Sequence, residues 1–321
     1  MRVWRGMSSV GFANDGSRTP PLGCPLLQIY LPHCIMNRCC FVPLTTFMLK
    51  SAREIDRMRK AGLYVWHALQ IAEKLVRPGI TTGEIDARIE QFYEDHHVVP
   101  LFKGVPGEVP FPAVTCISVN EQVVHGIPGD RVLQEGDIVG IDTGCKVLDA
   151  GSPSKGWCGD SARTFAVGKI TAVQQRLMDV TEGTLNIAIE EMGKAKTWSA
   201  VAKKMQALAQ KNGFSVIEDL VGHGIGREMH EKPQVPNYVS QETIRNDFNL
   251  VPGMVLAVEP MVNVGTKKIR TLRDHWTIVT SDRKPSAHFE HTLALTSSGV
   301  RVLTGPPEND DEKIDIAQYV Q

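Results

Sequence analysis

Seven side chains in this sequence are of types that do metal or acid–base chemistry and stand where such side chains are costly or conspicuous: His125, Asp142, Asp160, His223, His230, Glu259 and Glu290. Asp142 ends the apolar run Ile138-Val-Gly-Ile141, and Glu259 ends Val255-Leu-Ala-Val258. Glu290 lies between Phe289 and His291, where another apolar run opens. An acid within or just after an apolar strand is costly unless it is paired or metal-bound. A group of bare carboxylates repels itself, so a cation must hold it. Two divalent ions do so well, and a metal pair can activate a shared water as a nucleophile. Each residue also has a plain structural alternative. Asp142 could cap a turn, and Asp160 in Cys158-Gly-Asp-Ser161 could form an Asx turn or an N-cap. Glu259 could pair with an arginine, His223 could be an ordinary loop histidine, and His125 a satisfied core histidine. His67, His96, His97 and His275 read as surface or core residues.

These residues need elements to position them. Ser51-x-x-Glu54 is a capping box, in which each residue satisfies an orphan backbone N–H of the other. Ile55, Met58, Gly62, Val65, Leu69, Ala72 and Val76 follow at helical spacing, and Pro78-Gly79 stops that helix. Thr81-x-x-Glu84 opens a second helix with Ile85, Ile89 and Phe92 on one face, and Thr171-x-x-Gln174 opens a third. Ser199 is expected to cap a fourth, ending at Asn212-Gly213. Gly136–Asp142, Thr164–Val167, Met254–Val258, Trp276–Thr280 and His288–Leu295 read as strands.

The order hides a repeat. The helix cap at Ser51 recurs at Thr171, offset by 120 residues, and the apolar face at Ile85 recurs at Val201, offset by 116. Leu133-x-x-Gly136-x-x-Val139-x-x-Asp142 matches Leu250-x-x-Gly253-x-x-Leu256-x-x-Glu259 at an offset of 117. Two similar halves are expected to form one α/β domain, with acids facing each other across a pseudo-two-fold axis.

Composition bounds the rest. The 321 residues carry 35 basic and 36 acidic side chains, for a formal charge of −1, which argues against a nucleic-acid footprint. No run approaches a membrane span of roughly 18 apolar residues. The seven cysteines lack a disulfide framework or paired zinc spacing, and the first residues lack a signal-peptide pattern, so a reduced, cytoplasmic protein is expected. Residues 1–47 show no period, and are expected to be disordered or to precede the true start at Met48. The folded domain is placed at 48–304, and residues 305–321 read as a solvated acidic tail.

Six segments carry a resemblance. They are Asn120-Glu-Gln-Val-Val-His-Gly-Ile-Pro128, Gly140-Ile-Asp-Thr-Gly144, Gly159-Asp-Ser161, Gly222-His-Gly-Ile-Gly-Arg-Glu-Met-His230, Gly253-Met-Val-Leu-Ala-Val-Glu-Pro-Met261 and Phe289-Glu-His-Thr292. In order and together, between Ser51 and Thr304, the chain resembles the type I methionine aminopeptidases. The resemblance implies the duplicated pita-bread fold, with a central antiparallel sheet and outer helices. It implies two divalent ions (cobalt, manganese, iron or zinc): Asp142 on one, His223 and Glu259 on the other, Asp160 and Glu290 bridging. Glu259 would move the proton. His230 would stabilise the tetrahedral oxyanion, and His125 would contact the leaving amide nitrogen. Phe111, Cys116, Met229 and Trp276 would form the methionine pocket, and a monovalent cation would lie near Asn120, Gln122 and Ser286. The implied substrates are nascent polypeptide N-termini, met at the ribosome, with a small second residue. No nucleic acid or membrane is implied, and a monomer is expected.

Three departures stand out. The family usually separates its two aspartates by ten residues, whereas Asp142 and Asp160 are 18 positions apart, so seven residues are extra. The turn-rich stretch Leu148–Lys155 is expected to bulge out as a surface loop, leaving the aspartates on neighbouring strands, with Asp149 as the rival ligand otherwise. Phe102–Phe111 lacks the family's Gly-Tyr, which puts the pocket wall near Val105 in question, and residues 1–47 have no counterpart in the family. The 29 positions from His230 to Glu259 are too few for the type II insertion. Two alternatives remain: an Xaa-Pro peptidase of the same fold, and a metal-free binding protein on it.

Overall fold

The structure, a computed structural model, describes residues 47–321. Apart from Phe47, the expectations for residues 1–47 fall outside the described residues. The capping boxes form as the sequence predicts. Ser51 Oγ accepts from the Glu54 N–H while Glu54 accepts from the Ser51 N–H, opening α1 (Ala52–Leu75). Thr81 and Glu84 do the same for α2 (Thr82–Asp95). Strands β1 (Val99–Pro100), β2 (Thr115–Val119), β3 (Gln122–Val124), β4 (Ile138–Leu148) and β5 (Gly156–Ala166) complete the first half. The second half begins with α3 (Ala172–Glu191) and α4 (Trp198–Lys211). There follow β6 (Ser215–Val216), β7 (Gly222–Gly224), β8 (Glu231–Val235), α5 (Gln241–Arg245), β9 (Val255–Val258) and β10 (Met261–Asn263). The last strands are β11 (Ile269–Thr271), β12 (Ile278–Thr280), β13 (Ser286–His288), β14 (His291–Thr296) and β15 (Gly299–Val302).

Every strand pairing among the described residues is antiparallel. In the first half β4 lies between β5 and β2; in the second, β9 lies between β14 and β7. The outer helices cover these sheets. One core joins α1 and α2 to β2 and β4 through Val65, Ile85, Ile117 and Ile141, and another joins α3 and α4 to β9 and β14 through Leu177, Met205, Leu256 and Leu293. The sheets meet where β5 runs beside residues 288–292. There Glu290 N–H donates to the Ala162 carbonyl at 2.8 Å, Thr164 Oγ1 to the His288 carbonyl at 2.8 Å, and Thr292 Oγ1 to the Asp160 carbonyl at 2.8 Å.

The duplication reaches the backbone. Gly136 and Gly253 both sit at positive φ, 91° and 97°, in the turn that launches β4 and β9, a conformation only glycine adopts freely. Isolated bridges Thr81↔Val132 and Thr197↔Asn249 repeat in the two halves, and α2 and α4 are each 14 residues long.

Three expectations are corrected. The fourth helix is capped not at Ser199 but at Thr197, which makes no side-chain capping bond; Asp247 instead accepts from the Ser199 N–H at 2.9 Å. Strand β5 begins at Gly156, eight residues before the apolar run that signals it, because glycines and polar residues in 156–163 mask the pattern. Residues 305–321 are not a solvated tail. Arg59, only 2% exposed, donates to the carbonyls of Leu303, Gly305 and Pro306 and pairs with Glu312 at 2.8 Å. Tyr319 is buried against Phe92, with its hydroxyl donating to Asp95 at 2.9 Å. The acids of this segment alternate with Ile314, Ile316 and Tyr319, which pack into the first core. No helix among the described residues is long and apolar enough to cross a membrane.

Candidate metal centre

Asp142 on β4 stands opposite Ala162 of β5, and Asp160 on β5 stands opposite Gly144 of β4. The offset of two along each strand places both acids on the same face of the hairpin, as diagonal neighbours. The ladder runs unbroken from Ile138↔Ala166 to Leu148↔Gly156, so the extra residues lengthen the hairpin and its tip without slipping the register. His223 on β7 stands opposite Ala257, and Glu259 follows β9 directly, bringing His223 Nε2 to 3.6 Å from Glu259 Oε1. Glu290 lies between β13 and β14, tied by its N–H to Ala162. Ligand atoms of Asp160, His223 and Glu290 all lie within 4.8 Å of one another.

The electrostatics are those of a site built for cations. Burial pushes Asp142, Glu259 and Glu290 well above the usual carboxylate range, and their mutual repulsion and that of Asp160 push them further. Burial raises Asp160 to about 7. Asp142 Oδ1, Asp160 Oδ1 and Glu290 Oε1 are buried without a hydrogen-bond partner. Among the described residues no lysine or arginine forms an ion pair with any of the four acids, so the arginine alternative for Glu259 fails. Burial lowers His223 to about 4, so it is neutral near pH 7. Its Nδ1 lies 3.0 Å from the Gly224 carbonyl, which can only accept, so Nδ1 carries the proton and the Nε2 lone pair faces Glu259. Orphaned carboxylate oxygens and an unprotonated imidazole nitrogen in one buried cluster fit divalent ions.

Two further histidines border the cluster. The His230 ring lies 4.3 Å from that of His223, and burial, then His223 and His125, lower it to about 3. His125, at φ 57°, is lowered to about 4 by burial and meets Trp276 edge-on. Beside them, Phe111, Cys116 and Trp276 form one apolar group with Phe102 and Ala113, against which Met229 and Val105 pack. Cys116 faces Asp142 across β2 and β4, so this group abuts the acids.

Against this geometry, the model of metallopeptidase family M24 matches residues 56–297. A methionine aminopeptidase of Clostridium perfringens is 44% identical over 257 residues, covering 80% of this chain and 98% of that protein. Methionine aminopeptidase 1 of Bacillus subtilis is 42% identical over 255 residues, covering 79% and 98%. The chain belongs to metallopeptidase family M24, among the methionine aminopeptidases. The crystal structure of the methionine aminopeptidase from Thermotoga maritima superposes with a TM-score of 0.74 at 38% identity, covering 81% of this chain and 100% of that one. A prolidase from Pyrococcus furiosus, at a TM-score of 0.59 and 21% identity, shares the fold. The fold is the pita-bread fold of these proteins, and the chain is a metal-dependent hydrolase.

All five side chains read from the sequence as ligands thus lie together, and Phe111, Cys116, Met229 and Trp276 lie in one apolar group, against which Val105 packs. Asp149 does not join the cluster; it pairs with Arg57 and Arg227. At the third set, the Asn120 N–H and carbonyl bind Ile138 and Ser286, while the side-chain oxygens of Asn120 and Gln122 accept from the Ile138 and Val119 N–H groups. Each of these side-chain oxygens keeps a second lone pair, and Ser286 Oγ donates to the Val262 carbonyl. The sequence reading missed Phe102, Ala113 and His288. His288 is buried with Nε2 4.0 Å from Glu290 Oε2, and burial lowers it to about 3. Its position two residues before Glu290 in an extended segment was the available signal.

Proposed function

We propose that this methionine aminopeptidase family member removes the N-terminal methionine of polypeptides whose second residue is small, acting on nascent chains at the ribosome, as a cytoplasmic monomer. The observation that carries this reading is the juxtaposition of five metal-type donors, Asp160, His223 and Glu290 buried and Asp142 and Glu259 half-buried, with an apolar group of Phe111, Cys116, Met229 and Trp276 of the kind that suits a thioether. Asp142 would hold one divalent ion and His223 with Glu259 a second, with Asp160 and Glu290 shared. The oxygen-rich set suits cobalt, manganese or iron at least as well as zinc. A monovalent cation near Asn120, Gln122 and Ser286 belongs to the same reading.

Divalent ions bound here supply Lewis-acid chemistry, lowering the pKa of water and polarising a carbonyl. The chain's own residues do the rest. Glu259 accepts the proton of the attacking water and returns it to the departing amine. His230, neutral because it is buried, donates a hydrogen bond to the oxyanion as it develops. His125 holds the amide nitrogen that leaves, and the apolar group holds the methionine side chain.

The test is cleavage of Met-Ala-Ser against Ala-Pro-Ala by protein loaded in turn with cobalt, manganese, iron and zinc. Cleavage of Met-Ala-Ser alone is expected. Preference for Ala-Pro-Ala would move the chain to the Xaa-Pro peptidases, and loss of both activities with metal bound would make it a binding protein.

A further inference from the structure

The turn 226–230 joins β7 to β8, and so joins His223 to His230, passing Met229 of the pocket. Its charged residues are each tied to a segment distant in sequence. Glu231 forms a buried ion pair with Lys50 at 2.5 Å and accepts from the Arg227 N–H at 2.8 Å. Glu228 lies 3.8 Å from Lys146 of β4. Arg227 stacks its guanidinium 3.9 Å over the Trp157 ring of β5 and donates to Asp149 Oδ2 at 2.5 Å. Asp149 Oδ1 also accepts from Arg57 of α1 at 3.3 Å. The backbone follows suit: the Cys158 N–H donates to the Gly226 carbonyl at 2.8 Å. A Cβ at Gly226 would come within 2.5 Å of Lys50 Cε and 2.6 Å of Glu231 Oε1, so a larger residue there would have to push that ion pair aside.

Asp149 opens the tip of the lengthened β4–β5 hairpin, whose seven extra residues nothing in the metal cluster uses. We propose that Asp149 is a positioning residue: through Arg227 it holds the turn 226–230 so that His230 meets the tetrahedral oxyanion. This rests on the oxyanion role of His230 given above. Lys50–Glu231 is buried and serves the fold as a whole. Asp149–Arg227 and Asp149–Arg57 are both partly exposed, so losing Asp149 leaves the fold in place; it frees Arg57 on the helix surface and, through Arg227, acts on the turn. Arg227 is held on one face by Trp157 and at one edge by Asp149, and a planar guanidinium is the group such a clamp orients best.

The experiment uses the full-length, metal-loaded enzyme with Asp149→Ala and Asp149→Glu, each alone and combined with His230→Ala. Turnover of Met-Ala-Ser, metal content and melting temperature are measured for all. Asp149→Ala alone is expected to lower kcat about three- to five-fold, the scale of one partly exposed ion pair, with KM, metal content and melting temperature unchanged. Asp149→Glu should restore most of the loss. In the His230→Ala background Asp149→Ala should cost nothing further, because the residue it positions is gone. An unchanged kcat for Asp149→Ala, or an equal loss in both backgrounds, would overturn the proposal while leaving the role of His230 intact. Undiminished turnover of His230→Ala would instead overturn that role, and the proposal with it.

Discussion

The two halves of this molecule share a skeleton and divide the chemistry unequally. In each, two helices cover a central strand, β4 or β9, that follows a positive-φ glycine and places an acid, Asp142 within β4 and Glu259 just after β9. In the first half the flanking acid comes from a simple hairpin, Asp142 and Asp160 on β4 and β5. In the second, the insertion β10–β13 separates Glu259 from Glu290, yet β14 still pairs beside β9. The third strand differs most. His223 faces Ala257; the matching position of the first sheet is Gly140, whose partner is Ser118. Ser118 Oγ accepts the Gly126 N–H at 3.1 Å and has no part in the cluster. Duplication therefore supplies a frame with matched positions on both sides of an axis, and the residues at those positions are free to specialise.

The largest expected effects test whether both halves are needed. Asp160→Asn and Glu259→Gln, one change per half, should each abolish turnover and release metal by elemental analysis. Near-native activity in either would show that one half suffices. Next comes a residue that should act without holding metal. His230→Ala should keep its metal but lose roughly 10²–10³-fold in turnover, the scale of one oxyanion donor; metal loss would place His230 among the ligands instead.

A smaller effect concerns pH. The four acids are raised above their ordinary values, Asp160 to about 7 from 3.8, so the metal-free fold retains protons that the unfolded chain has lost. That contribution is full below the ordinary carboxylate value and disappears as pH rises through the folded values. The depressed histidines act oppositely, but only below their ordinary 6.5. Above about pH 6.5 the histidines drop out and the acids dominate, with the buried thiols of Cys116, Cys145 and Cys158 adding the same sign near pH 8.5, so chelator-treated protein should melt lower at pH 8.5 than at pH 6.5. Metal-loaded protein should lose this trend, and an equal slope in both forms would count against carboxylates facing ions. Smallest of all, Ser118→Ala should keep metal and most activity while losing about 1–3 kcal/mol of stability from one orphaned amide, whereas the matched His223→Ala should lose metal. Equal metal loss at both positions would erase the asymmetry between the halves.

Much of this was legible locally. Capping boxes at Ser51, Thr81 and Thr171 need only four residues, and the structure contains all three. The five acids and histidines stood out because charge at an apolar strand end is costly, and glycine spacing set the matched positions. What stayed hidden depended on distant partners. Asp247 caps α4 from 48 residues away, and Arg59 sits at an apparently exposed helical position until the chain end reaches it. Asp149 lay in a stretch that read as a loop free to bulge, since nothing near it in sequence announces Arg57 or Arg227. Strand β7, only three residues with two glycines, carries His223 and gives almost no strand signal of its own.

The placement of Tyr319 sets a schedule for biosynthesis. The core beneath α1 and α2 is built from residues between Ala61 and Val167, yet it is completed by Tyr319, 152 positions further along the chain. Chains are made N-terminus first, so that core stays open until residue 319 has been added. A protein proposed to act on other chains while they are being made thus closes its own first core only after its second half has been built.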